Sequence, residues 1–253
     1  MKAPIPQICL GIVIIVIAFF TSISASWAVP LTTTETVKPL TSSPTSPQKL
    51  TGKRPQGIEG IWQISDGIIP EGKNEKRTIE IKSNRQVYIL NSKSVQGNYK
   101  GLGFLENNHL FVAFGPDTGN LELAVYHIND NGTLEGKWAI AGDSTIGKDH
   151  VTGGTPGTLE GRYQIKGEYP VGFPYYQGIL TIIPQGEVYE LSLRIASDYT
   201  KGIGTRSGDN LIVAWGENKL FKVIDYTIEE QTLKGFSVGI NQSQLKPEML
   251  TRI

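Results

Sequence analysis

The stretch Gly142-Asp143-Ser144-Thr145, with Asp149-His150 close behind, comes nearest to a catalytic set in this chain. A serine hydroxyl becomes a nucleophile only with a base in hydrogen-bond reach and donors placed for the oxyanion. Here the candidate base adjoins an acid directly and the tetrapeptide closes a β-rich segment, so a polar turn is the simpler reading. A secreted hydrolase using Ser144 or a carboxylate pair such as Glu187 with Glu190 stands as the alternative, and carboxylate separation in space would decide it. His109, His127 and His150 have no spacing that sets two of them on one helix face or strand, so no metal is expected. G-x-x-x-x-G-K-[ST], G-x-G-x-x-G and H-E-x-x-H are absent, and no cofactor is expected. The best non-catalytic candidate is the segment Tyr169-Pro170-Val171-Gly172-Phe173-Pro174-Tyr175-Tyr176. Prolines hold such a loop extended, and clustered rings offer stacking faces to sugars or a protein partner. The expected ligand-binding residues are therefore Phe173, Tyr175 and Tyr176, aided by Trp215.

These side chains must be positioned by strands. From Gly57 onward segments alternate or are rich in β-formers, and no stretch keeps a helical period for ten residues. Tyr189, Leu191, Leu193 and Ile195 share one strand face with Glu190, Ser192 and Arg194 on the other, the pattern of a half-buried strand. Asp130-Asn131-Gly132-Thr133 signals a hairpin with a type I′ turn. Ser207-Gly208-Asp209-Asn210 marks another turn.

The second half repeats the first at an offset of 101 residues. Gly60-Ile61-Trp62-Gln63-Ile64 returns as Gly161-Arg162-Tyr163-Gln164-Ile165, and Lys100-Gly101-Leu102-Gly103 as Lys201-Gly202-Ile203-Gly204. Leu110-Phe111-Val112-Ala113-Phe114-Gly115 returns as Leu211-Ile212-Val213-Ala214-Trp215-Gly216. Seven strands are expected in the first copy, near 58–65, 77–83, 86–92, 94–105, 109–115, 120–129 and 132–141, and the same plan in the second. The fold class is all-β: two tandem antiparallel meander units, each a small barrel or sandwich, or together one larger barrel. The expected divisions are repeat 1 over 57–148, a linker over 149–157, repeat 2 over 158–246 and a tail over 247–253. The copies differ where Gly72-Lys73-Asn74 faces Phe173-Pro174-Tyr175, and where Trp138 aligns with Ser237 after a two-residue shift.

Residues 1–28 read as an export signal: Lys2, a thirteen-residue apolar run from Ile8 to Phe20, then Ser26-Trp27-Ala28. The run is short for a bilayer span, which needs roughly 18 to 20 residues, and an uncleaved anchor is the alternative. Residues 29–56 are rich in Pro, Ser and Thr and are expected to form a disordered stalk. The only cysteine, Cys9, lies in the signal, so disulfides and thiolate sites are excluded from the mature chain. The chain has 24 basic and 24 acidic residues without a dense basic cluster, which argues against nucleic acid as a partner. Asn131-Gly132-Thr133 and Asn241-Gln242-Ser243 match the glycosylation pattern, which matters only in a eukaryotic secretory pathway.

The order G-x-[WY]-x-I, V-Y, K-G-x-G, L-x-V-A-[FW]-G and L-x-G, with Tyr176-Gln177-Gly178-Ile179-Leu180-Thr181-Ile182 in the second copy, resembles the tandem glycine-aromatic β-repeats of uncharacterised exported bacterial proteins. That resemblance covers Ile58 to about Gly239 and implies the fold, with no activity attached. Gly60-Ile61-Trp62 also looks like the G-x-W that opens lipocalin and avidin barrels, where the tryptophan closes one end. Gly142-Asp143-Ser144 looks like the block of one serine hydrolase family, but that family is α/β and carries its serine near the mature N-terminus. The expectation is an exported non-catalytic binding or interaction module, with a structural envelope protein as a further alternative. A cell-wall glycan, a small apolar molecule or another envelope protein would be its partner.

Overall fold

The computed structural model describes residues 57–66, 77–94, 97–169, 175–217 and 220–253. The expected signal and stalk, residues 1–56, lie outside the described residues. Sixteen strands follow in chain order: β1 (Gly60–Asp66), β2 (Thr78–Asn84), β3 (Val87–Ser94), β4 (Gly97–Glu106), β5 (His109–Pro116), β6 (Leu121–Ile128), β7 (Leu134–Ile140), β8 (Gly147–Thr152), β9 (Gly161–Glu168), β10 (Tyr175–Gln185), β11 (Val188–Ile195), β12 (Asp198–Ser207), β13 (Asn210–Gly216), β14 (Lys222–Glu229), β15 (Thr232–Gly239) and β16 (Lys246–Arg252). All adjacent pairings are antiparallel, and the strands close into two eight-stranded barrels.

The barrels are not the repeats. β6 to β13 run consecutively round one barrel, which β13 closes by pairing with β6; we call it the central barrel. β1 to β5 and β14 to β16 form the terminal barrel, closed where β5 meets β14 and where β1 meets β16. Since β1 to β8 belong to the first copy and β9 to β16 to the second, each barrel takes five strands from one copy and three from the other. The exchange happens where the chain leaves β5 for β6 and β13 for β14.

Three strand-level readings are corrected. An eighth strand per copy was not expected: residues 149–152 of the assigned linker belong to β8, and the assigned tail, 247–253, is largely β16. Lys148, His150 and Thr152 hide the pattern by standing outward while Gly147, Asp149 and Val151 face in, so two of the three inward residues are not bulky apolar ones. The hairpin at 129–133 is not type I′, because Gly132 alone has positive φ, +81°. Its closure by Asn129 N–H to Thr133 O and Gly132 N–H to Asn129 O is that of a three-residue loop with glycine in the left-handed position. Gly154, in the β8–β9 connection, packs against the backbone of Gly132 so closely that neither position has room for a Cβ.

Strand alternation produces three apolar layers. Leu110, Val112, Phe114, Ile224 and Tyr226 point into the terminal barrel, and Leu211, Val213, Trp215, Leu180 and Tyr163 into the central one. The opposite faces of the same strands, with Leu102, Phe111, Leu123, Val125, Ile203 and Ile212, form a third buried layer shared by the two barrels. The K-G-x-G glycines make room inside: a Cβ on Gly101 would lie 2.8 Å from the Phe114 ring, and one on Gly202 would lie 2.6 Å from Trp215. Both interiors are filled by side chains, Trp62 and Phe114 in one and Trp215 and Tyr126 in the other.

One end of each barrel is closed alike. The Trp62 indole donates to Ile58 O at 2.9 Å, and the Tyr163 hydroxyl donates to Leu159 O at 3.0 Å, 101 residues on. The other ends differ.

Candidate functional site

At the second end of the central barrel an inward row crosses five strands: Tyr126 on β6, Gly136 on β7, Asp149 on β8, Gly167 on β9 and Tyr176 on β10, each paired with the next. The glycines are required by the tyrosines. A Cβ on Gly136 would lie 2.5 Å from the Tyr126 ring, and one on Gly167 would collide with Tyr176. Both phenols therefore reach Asp149 from opposite sides: Tyr126 donates to Oδ2 at 2.9 Å and Tyr176 to Oδ1. Asp149 is 4% exposed. Burial raises its pKa, against which the hydrogen bonds from Tyr176 and Tyr126 and the nearby Trp138 indole favour its charge. The tyrosines are pushed up from their usual value by burial first, then by the adjacent carboxylate.

Beside this row stands Glu122 on β6. The residue keeps some contact with solvent, but protein atoms surround its carboxyl, and burial followed by repulsion from Asp149 raises its pKa from 4.5 to about 8. At neutral pH Glu122 is thus mostly protonated. Among the described residues no cation pairs with Glu122 or Asp149. Three rings edge the site: Trp138 meets Tyr169 edge-on at 5.6 Å, Tyr169 meets Tyr176 at 5.0 Å and Trp138 meets Tyr176 at 6.4 Å. The Trp138 indole N–H is buried without a hydrogen-bond partner.

Of the residues expected to bind ligand, Phe173 lies outside the described residues. Tyr175 is 76% exposed, and Tyr176 turns inward to Asp149. Trp215 is buried at 2%, within the same apolar cluster against which Tyr176 packs. The structure thus places Tyr176 and Trp215 in one apolar cluster and leaves Tyr175 on the outer face of β10.

The other sequence candidates separate. Asp143 accepts from the Thr145 N–H at 2.9 Å in a turn, and hydrogen bonding from the Thr145 side chain first, then from its backbone, lowers the Asp143 pKa. His150 stands on the outer face of β8, 2.5 Å from Glu135, and so is not held as a base for Ser144. Glu187 accepts from the Leu245 N–H at 3.1 Å, and Glu190 is exposed on β11. His109 pairs with Asp225 at 2.8 Å. His127 and His150 both stand beside Glu135 across neighbouring strands, a proximity their sequence spacing does not reveal. Among the described residues no three His, Cys, Asp or Glu side chains are grouped to hold a metal ion. A shallow outer depression of about 460 Å³ is lined by Glu106, His127, Glu135, Lys137 and Lys148. Within it Lys137 pairs with Glu106 at 2.8 Å, and Glu135 is engaged by the neighbouring His150 ring.

Sequence reasoning missed Glu122, Tyr126, Trp138 and Asp149 as a site. A signal existed: past the fifth strand the copies fall out of the 101-residue register, and offsets of 100 and 99 residues align Tyr126 with Tyr226 and Asp149 with Glu248. Glu248 is 3% exposed and accepts from Tyr226 at 2.6 Å, so the acid and tyrosine are common to both barrels. Read as the start of the linker over 149–157, Asp149 has no strand face in the sequence. No protein-family model, no curated protein and no solved structure matches this chain.

Proposed function

We propose that this protein is an exported, non-catalytic binding module whose ligand face is the second end of the central barrel. The observation that carries this reading is the cluster of Tyr169, Tyr176 and Trp138 beside two carboxyl groups without a cationic partner. Tyr169, 41% exposed, and Tyr175 offer rings to a ligand, and buried carboxyls supply polar anchors behind them. The filled interiors weigh against carriage of a small apolar molecule inside a barrel, and the engaged His150 weighs against Ser144 chemistry. Export is supported by the apolar run of residues 8–20 and its small-residue sequel.

The test is retention of the purified protein on cell-wall and envelope fractions. Tyr169→Ala combined with Tyr175→Ala should lower retention by about tenfold, the effect of losing two stacking rings. Unchanged retention in a folded double variant sinks the assignment of this face. A broad esterase and glycosidase screen gives the independent check: turnover abolished by Ser144→Ala would establish the hydrolase instead.

A further inference from the structure

The two barrels answer the same buried acid in different ways. In the terminal barrel Glu248 has its own cation: Lys222 Nζ lies 2.6 Å from Oε2 while the Tyr226 hydroxyl lies 2.6 Å from Oε1. The same ammonium stands 5.6 Å from the centre of the Phe114 ring, directly across the ladder from Lys222. In the central barrel every counterpart but one is kept. Asp149 replaces Glu248, Tyr126 replaces Tyr226, and Trp215 replaces Phe114 across the ladder from the lysine's position. The lysine itself has become Glu122, 100 residues earlier.

That exchange turns an internal ion pair into two neighbouring acids, an arrangement that disfavours charge on both. The phenol of Tyr176 takes the second oxygen of Asp149, a neutral donor where the terminal barrel has an ammonium. The buried Trp138 N–H lies close enough to the same carboxylate to favour its charge, yet forms no well-aligned hydrogen bond. Buried donors and carboxyls left in this state cost free energy that a fitting ligand recovers.

Resting on the reading of this end as the ligand face, we infer that it binds a primary ammonium group between Glu122 and Asp149, beside the Tyr176 hydroxyl, in the charge-matching role that Lys222 has in the terminal barrel. The ammonium donates to Asp149 and Glu122 above the Trp215 ring. A hydroxyl or carbonyl oxygen one or two bonds along the ligand accepts from Trp138. A quaternary ammonium has no N–H for the carboxylates and is excluded by the same chemistry.

Ethanolammonium carries both groups and serves as the probe; choline and propan-1-ol are the controls, and the full chain is used. Indole N–H resonances of Trp138 and Trp215 should shift saturably with ethanolammonium, and Trp62, in the other barrel, should not move. Glu122→Lys restores the internal pair and should weaken the response at least about tenfold, as should Asp149→Asn, the second variant should the first fail to fold. No saturable shift, an equal response to choline, or full response in both folded variants overturns the inference. Loss of envelope retention in the tyrosine variants without any ethanolammonium response overturns it too, while leaving the binding face in place.

Discussion

Asp149 and Glu248 are almost fully buried, and each is held by a tyrosine hydroxyl, so each tyrosine serves the fold as well as the site. Removing one phenol leaves a buried carboxylate short of a donor, which costs about 1–3 kcal/mol. Tyr226→Phe should therefore lower stability in urea unfolding by that amount, although the ring still fills its place. Glu122 behaves oppositely. Its pKa is about 8 in the folded chain against 4.5 when exposed, so the folded state holds a proton that the unfolded state releases. Its contribution to stability is complete below pH 4.5 and is lost as pH rises to 8, with a slope on the order of 1.4 kcal/mol per pH unit at most. The groups facing it, Asp149, Tyr126, Tyr169 and Tyr176, supply no positive charge to reverse that sign. Unfolding measured at pH 5.5 and at pH 8 should show the loss in the native chain and most of it gone in Glu122→Gln. A flat profile in the native chain would show that Glu122 is ionised throughout.

At the scale of the strand, glycine facing glycine-free neighbours decides which large ring fits. Gly101 and Gly202 stand under Phe114 and Trp215, and Gly136 and Gly167 stand beside the two tyrosines that reach Asp149. Gly202→Ala forces a Cβ into the indole and should cost about 1–3 kcal/mol by overpacking, seen as a lowered unfolding midpoint with altered Trp215 fluorescence. An alanine at Gly97, whose Cβ would meet nothing within 4 Å, tests conformation alone, since φ there is +134°. The seven strands expected in the first copy lie within three residues of those observed, because alternation of Leu, Val, Ile and aromatic residues with polar ones is a local property. The eighth strand escaped because its inward faces are Gly147 and Asp149, whose roles exist only beside Trp138 and the tyrosines of other strands.

The described residues form one eight-stranded barrel carrying another between its fifth and sixth strands. The central barrel is continuous in sequence, whereas the terminal barrel needs both ends of the described chain. Residues 117–220 expressed alone should therefore fold cooperatively and keep near-ultraviolet signals from Trp138 and Trp215. They should also self-associate, because excision bares Leu123, Val125, Ile203 and Ile212, which the terminal barrel covers. Residues 57–148, the first copy as its sequence bounds it, hold β1 to β7 and only the first two residues of β8, and natively pair β5 with β14, so as a monomer they should show no native-like melt. A cooperative, monomeric first copy would show that the exchange of strands contributes nothing to folding. The sequence by itself determined the all-β class, the duplication and most strand positions, since these follow from side-chain periodicity and turn chemistry within a few residues. Only the tertiary structure decided where one barrel ends and the next begins. An eight-stranded cycle closes equally well with a neighbour's last three strands as with its own, and no local pattern distinguishes the two. For the same reason the site was decided there as well: Glu122, Trp138, Asp149 and Tyr176 lie on four different strands and meet only when the central barrel closes.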